Sequence, residues 1–305
     1  MQKRNGKHDW LITALLALIG ISILLYPTAS DLWNRWRDQR LMTEYDRSTL
    51  ALSDEESGEV LKQAAEYNAQ HTVNTICDAF EGDGYSADAY YESLLDLNGN
   101  GLMGSLEIPK IGQRLPIYHG IGAEALEQGV GHVEGTSLPI GGASTHAVLA
   151  GHRGLPGKKL FTDLDQLEPG DQFYIHILDE VLAYEIDQIV TVLPEETQEL
   201  SIHPGGDYVT LLTCTPYGVN THRLLVRGAR TAYVEERREE QAAQMDPVET
   251  IRDLPLKALG VGLFALIVIL PCVRALAAHK KQRRRAEKNP RHRPARRIGA
   301  HERQE

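Results

Sequence analysis

The sequence predicts a mainly β protein, in which seven to eight short strands form a closed barrel or a sandwich behind a set of N-terminal helices. From residue 97 onward, short apolar or alternating runs are separated by Gly, Pro and Asp, which is typical of such folds. Residues 31–70 instead carry apolar side chains at helical spacing. Two apolar runs, one near each end of the chain, add two predicted membrane-spanning helices.

The first apolar run covers residues 10–26 and follows three basic residues, Lys3, Arg4 and Lys7. Its length is at the short end for a helix that crosses about 30 Å of hydrocarbon. A cleaved signal peptide is the alternative, but only a weak candidate cleavage sequence follows at residues 27–30. We therefore predict an uncleaved anchor at residues 10–27, with a cytoplasmic N-terminus by the positive-inside rule.

The second apolar run, residues 254–278, is followed directly by a basic cluster at residues 279–285. This cluster predicts a cytoplasmic C-terminus that contacts anionic lipid. The tail beyond Lys288 is rich in Pro, Arg, His and Gln and is predicted to be disordered.

The net charge of −10 is divided unevenly along the chain. Residues 274–305 carry 12 of the 32 basic residues and 3 of the 42 acidic ones, and residues 1–27 carry 3 and 1. The middle, residues 28–273, is left with 17 basic and 38 acidic residues, a balance of −21. This balance argues against nucleic acid as a partner and predicts a multi-pass protein of the cell membrane whose acidic domain is extracellular.

The helical region contains a capping box at residues 53–56, with Ser53 at the N-cap and Glu56 three positions later. It predicts a helix that runs to about residue 70. Residues 161–167 predict a further short helix between two strands. The strands themselves are predicted at residues 103–108, 115–121, 146–150, 172–177, 181–192, 208–213 and 223–229, with residues 231–234 as an extension of the last.

These patterns divide the chain into seven parts. They are a cytoplasmic N-terminus (1–9), a first span (10–27), N-terminal helices with a turn-rich segment (28–96), a β domain (97–235), a charged linker (236–253), a second span (254–278) and a basic cytoplasmic tail (279–305).

Cys214 is the candidate nucleophile, because an apolar, β-branched run at residues 210–213 places it at the end of a strand before a turn. Arg223 returns nine positions later in the next strand and is a candidate stabiliser of an oxyanion. His152 follows the strand at 146–150 and Gly151, and is the candidate general acid and base. A nearby cation would raise the thiolate fraction of Cys214.

A buried, unreactive cysteine is the alternative for Cys214, because free cysteines are often simple core residues. The sequence contains no CxxC or HExxH pattern, so we predict no metal site. Cys272 lies in the second apolar run and is predicted to be a packing or acylation residue.

Three separated motifs resemble those of the sortase family. Residues 210–214, Thr-Leu-Leu-Thr-Cys, are similar to its TLxTC signature, Arg223 stands at the place of its essential arginine, and His152 matches its histidine. Residues 106–111 and 115–120 are similar to the class C, or pilin-type, branch. The resemblance covers residues 97–232 and implies the closed β-barrel of the sortases.

The class C branch also carries an N-terminal lid with an Asp-Pro-aromatic motif, which Asp78-Ala79-Phe80 resembles except for Ala79 in place of proline. The resemblance implies that Asp78 pairs with Arg223 and that Phe80 covers Cys214. A plain surface loop is the alternative, since proline would fix φ and lower the cost of ordering. Cys77 lies beside this motif, and a disulfide with Cys214 is a further hypothesis.

Family membership implies a transpeptidase that needs neither a metal nor an organic cofactor. An LPxTG-type sorting signal would be cleaved between Thr and Gly, Cys214 would hold the acyl group as a thioester, and a pilin lysine would accept it. The implied partners are pilins or other LPxTG-bearing surface proteins and membrane lipid. Attachment of surface proteins to peptidoglycan, a cysteine hydrolase and a non-catalytic scaffold are the alternatives.

Overall fold

The computed structural model of the protein describes residues 6–70, 78–80, 88–155 and 157–244. The chain divides into two units, residues 26–247 and the two ends, 1–25 with 248–305. Of the second unit, only residues 6–25, which begin the first helix, belong to the described part. The rest of the fold lies in the first unit.

Two long helices precede the strands: α1, Gly6–Ala51, and α2, Asp54–Gln70. The predicted capping box separates them, since the amide of Ser53 donates to Glu56 Oε2 at 2.8 Å and the amide of Glu56 donates to Ser53 Oγ at 3.3 Å. Three shorter helices follow, α3 (Ala89–Ser93), α4 (Ala123–Gln128) and α5 (Glu235–Gln244).

No helix in the described part of the chain combines the length and the apolarity needed to cross a lipid bilayer. The first predicted span, residues 10–27, falls within α1 and is not confirmed. The second, residues 254–278, and the basic tail lie outside the described residues.

The domain is built around a closed barrel of eight strands, as the sequence predicts. Around the barrel the order is β1-β2-β3-β4-β7-β8-β6-β5, and β5 pairs with β1 to close it. The pairs β2–β3 and β4–β7 are parallel, and the other pairs are antiparallel. The strands are β1 (Leu102–Ile108), β2 (Gln113–His119), β3 (Val130–His132), β4 (Thr145–Ala150), β5 (Gln172–Ile177), β6 (Glu180–Val192), β7 (Asp207–Thr215) and β8 (His222–Thr231).

Two details of the predicted elements are wrong. The strand extension at residues 231–234 does not form, because β8 ends at Thr231. The helix predicted at residues 161–167 is reduced to a single 3-10 turn, Leu164–Gln166.

The segment predicted as a linker begins with α5. Gln241 of this helix accepts a hydrogen bond from the buried backbone amide of Gln172 at 3.0 Å, so the helix contacts the barrel.

The helices are fixed to the barrel by buried polar contacts. From α1, the hydroxyl of Tyr45 donates to Met103 O at 2.7 Å, and Asp38 pairs with Lys158 at 2.8 Å. From α2, the side-chain amide of Asn68 bonds both the amide and the carbonyl of Leu138. Because buried polar groups are costly unless paired, these contacts fix how α1 and α2 lie on the barrel.

Candidate active site

The parallel pairing of β4 with β7 brings His152 and Cys214 to the same edge of the barrel. Ala150 lies opposite Leu212 in the register, so both strands end at this edge. Just beyond, the amide of Gly151 donates to Leu212 O at 3.0 Å, and Thr213 Oγ1 donates to Gly151 O at 2.7 Å. The carboxyl ends of neighbouring parallel strands are a common position for site residues.

Gly151 is required where the chain leaves β4. A Cβ atom at this position would lie 2.8 Å from the ring of Phe161. The amide of Phe161 in turn donates to His152 O at 3.1 Å. The backbone of His152 is therefore held against the barrel on both sides.

Cys214 and Arg223 are direct partners in the antiparallel register of β7 and β8. Cys214 is buried, and so is Arg223. Nη1 of Arg223 donates to two carbonyls of its own turn, Asn220 O at 3.0 Å and His222 O at 3.1 Å. These two bonds fix the orientation of the guanidinium through Nη1. Its other edge carries Nε and Nη2.

That other edge binds Asp78. Nε of Arg223 donates to Oδ1 at 2.7 Å, and Nη2 donates to Oδ2 at 2.5 Å. This is the two-point geometry in which arginine and carboxylate interact most strongly.

Phe80 lies near both the histidine and the arginine. Its ring centroid is 5.7 Å from that of His152, and the Cζ atom of Arg223 lies 5.4 Å from it. Ala79 is buried and packs in an apolar cluster with Leu212, among others. Cys77 lies outside the described residues. Cys214 is a free thiol in this structure, so the hypothesis of a disulfide between the two cysteines is not borne out.

Burial favours the neutral form of both candidate groups in this conformation. Burial raises the pKa of the Cys214 thiol, Arg223 opposes that shift, and the Asp78 carboxylate adds to it. Burial lowers the pKa of His152, and Glu127 opposes that shift. A neutral thiol and a neutral imidazole are the pair expected of a resting site rather than of an ion pair ready to react.

Sequence reasoning missed a further side chain at this edge, Arg153. It is almost fully buried, and its Nη1 donates to Thr215 Oγ1 at 3.2 Å. Its position directly after His152 was the available signal. Within the described part of the chain, no three His, Cys, Asp or Glu side chains are grouped so as to hold a metal ion.

Comparisons with known proteins agree with this geometry. A model of the sortase domain matches residues 106–231. Sortase A of Streptococcus agalactiae serotype III (strain NEM316) is 24% identical over 213 residues, 68% of this chain and 78% of that protein. Sortase D of Bacillus subtilis (strain 168) is 33% identical over 130 residues, 42% of this chain and 63% of that protein.

Solved structures of sortase C are more similar still. Sortase C1 of Streptococcus agalactiae is 44% identical, with a TM-score of 0.59 over 64% of this chain and all of that one. Sortase C of Streptococcus pneumoniae is 42% identical, with a TM-score of 0.57 over 64% of this chain and 97% of that one. The fold, the cysteine at the end of β7 and these matches lead to one conclusion: the chain belongs to the sortase family of cysteine transpeptidases, and its structural neighbours are the class C, pilin-type members.

Proposed function

We propose that this protein joins pilin subunits at the cell surface by cleaving an LPxTG-type sorting signal and transferring the new carboxyl end to a lysine. The observation that carries the proposal is the direct cross-strand pairing of Cys214 with Arg223, beside the loop that holds His152. The class C neighbours support the pilin substrate, since they include a pilus-related sortase C of Group B Streptococcus, 44% identical.

In the first step, the sulfur of Cys214 attacks the carbonyl carbon of the threonine in the sorting signal. His152 takes the proton from the thiol and gives it to the leaving amine of the glycine, so the peptide bond breaks as the thioester forms. Arg223 donates hydrogen bonds to the oxyanion of the tetrahedral intermediate, where charge develops.

In the second step, a lysine amine of the next pilin attacks the thioester. His152 takes a proton from that amine and returns it to the departing sulfur, which regenerates the thiol and leaves an isopeptide bond. The thioester retains the free energy of the cleaved peptide bond, so no nucleotide is consumed outside the cell.

Asp78 and Phe80 are proposed to keep the site closed between turnovers. Asp78 takes the Nε and Nη2 donors of Arg223, while Nη1 bonds its own turn. An oxyanion or substrate carbonyl that binds at the Nε and Nη2 edge would therefore displace Asp78. A closed site also protects against water, which would compete with the amine for a thioester.

Membrane attachment is the remaining part of the proposal. It rests on the apolar runs at residues 10–27 and 254–278 and on the basic residues at both ends, which flank an acidic middle. Extraction of membranes at alkaline pH tests it, because an anchored protein stays in the pellet and a peripheral one is released. Protease added to intact cells should digest the middle and spare both ends.

Mass spectrometry of the full chain in detergent, incubated with an LPxTG peptide, tests the reaction. We expect an acyl adduct on Cys214 that disappears when a lysine-bearing pilin peptide is added, with a ligated product in its place. Release of free acid in spite of the amine would identify a hydrolase, and transfer only to a peptidoglycan-type amine would identify a cell-wall attachment enzyme. No adduct and no cleavage, with the Asp78→Ala variant equally inert, would refute the proposal.

A further inference from the structure

Arg153 connects the two chain segments that carry the candidate catalytic residues. It directly follows His152 in sequence, and its Nη1 donates to the hydroxyl of Thr215, which directly follows Cys214. The bond is 3.2 Å long and joins residues that are 62 positions apart. The hydrogen bond therefore lies one residue beyond both His152 and Cys214.

The guanidinium of Arg153 is held in place from its other side. Its Nη2 pairs with a carboxylate oxygen of Asp165, next to the 3-10 turn, at 2.5 Å. The Arg153 side chain is only 8% exposed, whereas Asp165 is 52% exposed. Because the guanidinium is planar and rigid, fixing Nη2 also fixes the direction in which Nη1 donates.

This arrangement is costly if packing alone is its purpose. Nε of Arg153 is buried and has no hydrogen-bond partner among the described residues. Removing a guanidinium from water is expensive unless its donors are paired. A methionine or leucine could fill the same space without that cost, so the two bonds that Arg153 does make are the feature to explain.

A second contact joins the same two segments on their apolar side. Gly154 has φ near +80°, and a Cβ atom there would lie 2.8 Å from the ring of Tyr217. The segment after His152 and the turn after Cys214 therefore touch at two points. The last backbone hydrogen bond between the two segments, from Gly151 N to Leu212 O, comes before both catalytic positions. The contacts of Arg153 with Thr215 and of Gly154 with Tyr217 hold the segments together beyond it.

We propose that Arg153 is a positioning residue: through Thr215 it sets the separation between the His152 imidazole and the Cys214 thiol. The proposal rests on the proposed function, since it assigns a geometric role within that reaction. Proton transfer between two side chains depends on hydrogen-bond distance, and a misplacement of about 1 Å costs up to about 100-fold in rate.

The test compares two conservative changes at Thr215. Thr215→Val keeps the shape and removes the oxygen that accepts from Arg153, and Thr215→Ser keeps the oxygen. With an LPxTG peptide and an amine acceptor, we expect Thr215→Val to lower kcat about tenfold or more, with KM within about twofold of the unchanged protein. Thr215→Ser should restore kcat to within about twofold.

Arg153→Lys gives an independent measurement on the other partner. This variant keeps the positive charge but replaces the planar, rigid guanidinium with a flexible ammonium group. It should therefore lower kcat as Thr215→Val does. Asp165→Asn should have an intermediate effect. Equal loss of kcat in the Val and Ser variants, or a lower Tm without loss of kcat, would overturn the positioning role.

A readout that does not depend on the sorting signal separates this inference from the proposed function. In an Asp78→Ala background, the rate at which iodoacetamide labels Cys214 is followed against pH. An imidazole that donates a hydrogen bond to the thiolate lowers the thiol pKa, so Thr215→Val should move the midpoint to higher pH and Thr215→Ser should not. Coincident midpoints for both variants would overturn the inference even if the peptide were never cleaved.

Discussion

Asp78 and Arg223 face each other through two hydrogen bonds of 2.7 and 2.5 Å, although 145 residues separate them in the chain. Their side chains are 8% and 5% exposed. The carboxylate binds Nε and Nη2 of Arg223, whereas Nη1 binds carbonyls of its own turn. In the proposed function, this pair stabilises the closed site, and Nε and Nη2 of Arg223 bind an oxyanion after Asp78 withdraws.

Asp78→Ala should expose the thiol. A hydrogen bond to a charged group contributes about 1.5–3 kcal/mol, so loss of this pair should raise the labelling rate of Cys214 by a small thiol reagent about tenfold or more. Phe80→Ala should act in the same direction, because its ring lies against both His152 and Arg223.

Asp187→Ala is the matched control. Asp187 accepts two hydrogen bonds, of 3.0 and 2.8 Å, from Arg227, which lies on β8 as Arg223 does. It should leave the labelling rate unchanged. Equal rates for Asp78→Ala and the unchanged protein would remove the lid from the mechanism.

Asp78→Asn tests the electrostatic part of this closure. The Asp78 carboxylate contributes to the raised pKa of the Cys214 thiol. Removing its negative charge stabilises the thiolate, so the midpoint of labelling against pH should move to lower pH. If the maximal labelling rate at high pH changed while the midpoint of labelling against pH did not, Asp78 would act only by covering the site.

His152→Ala should lower turnover of the LPxTG peptide about 100-fold or more and leave the circular dichroism spectrum unchanged, because general acid–base catalysis contributes about that much. His222→Ala is the comparison. His222 lies opposite Thr215 on β8, and its Nδ1 bonds the hydroxyl of Thr221. Turnover that survives in His152→Ala and vanishes in His222→Ala would transfer the acid–base role to His222.

The pair between Asp38 and Lys158 should matter for stability. The two side chains are 7% and 6% exposed, and burial lowers the pKa of Lys158 against the opposing effect of Asp38. Lys158→Met leaves the buried Asp38 carboxylate with only a longer contact, 3.4 Å, to the partly exposed Arg37, and should lower the free energy of unfolding by about 3–5 kcal/mol.

The double change Asp38→Leu with Lys158→Met should recover most of that loss, because no isolated charge then remains. The exposed pair of Glu59 and Lys62 is the control, and its removal should cost less than about 0.5 kcal/mol. A loss below about 1 kcal/mol in Lys158→Met, measured by urea unfolding, would contradict the prediction.

Two buried histidines should make the barrel sensitive to acid. Burial lowers the pKa of both His132 and His146 to about 4. Each is paired as a neutral imidazole: His132 lies between the Tyr91 hydroxyl and Ser137 O, and His146 lies between Thr210 Oγ1 and Ser201 O.

Because the unfolded chain binds these protons near pH 6.5, the unfolded state is favoured increasingly as pH falls from about 6.5 to about 4. We expect Tm to fall by several degrees between pH 7 and pH 5. His146→Gln should flatten that dependence, whereas the change His203→Gln, at an exposed position, should not. A Tm that does not change between pH 7 and pH 5 would contradict the prediction that these buried histidines destabilise the fold in acid.

The local patterns of the sequence predicted much of the barrel. The strand predicted at residues 172–177 is β5 without change, and the capping box at Ser53 begins α2 as expected. The three-residue strand β3 and the six-residue helix α4 were missed, because neither is long enough to show a period. Strand order could not be predicted either, since β4 pairs on one side with its neighbour β3 and on the other with β7, about 60 residues away.

The candidate site likewise contains residues that the sequence predicts and contacts that it does not. Cys214 and Arg223 could be proposed from one short stretch, because both flank a single turn. The contact of Asp78 with Arg223 was expected only from the family resemblance, since no periodicity connects residues 145 positions apart. The hydrogen bond from Arg153 to Thr215 could not be expected at all, because it depends on how two loops meet at the barrel edge.

The parallel pairing of β4 with β7 also governs when the enzyme becomes reactive during folding. Helices and hairpins form early from neighbouring residues, whereas a pairing across about 62 residues must wait for a long loop to close. A chain that has not yet joined β7 and β8 to the rest holds His152 without a nucleophile beside it. Recovered activity on refolding therefore reports completion of the barrel, while recovered helical circular dichroism reports only an earlier, local event.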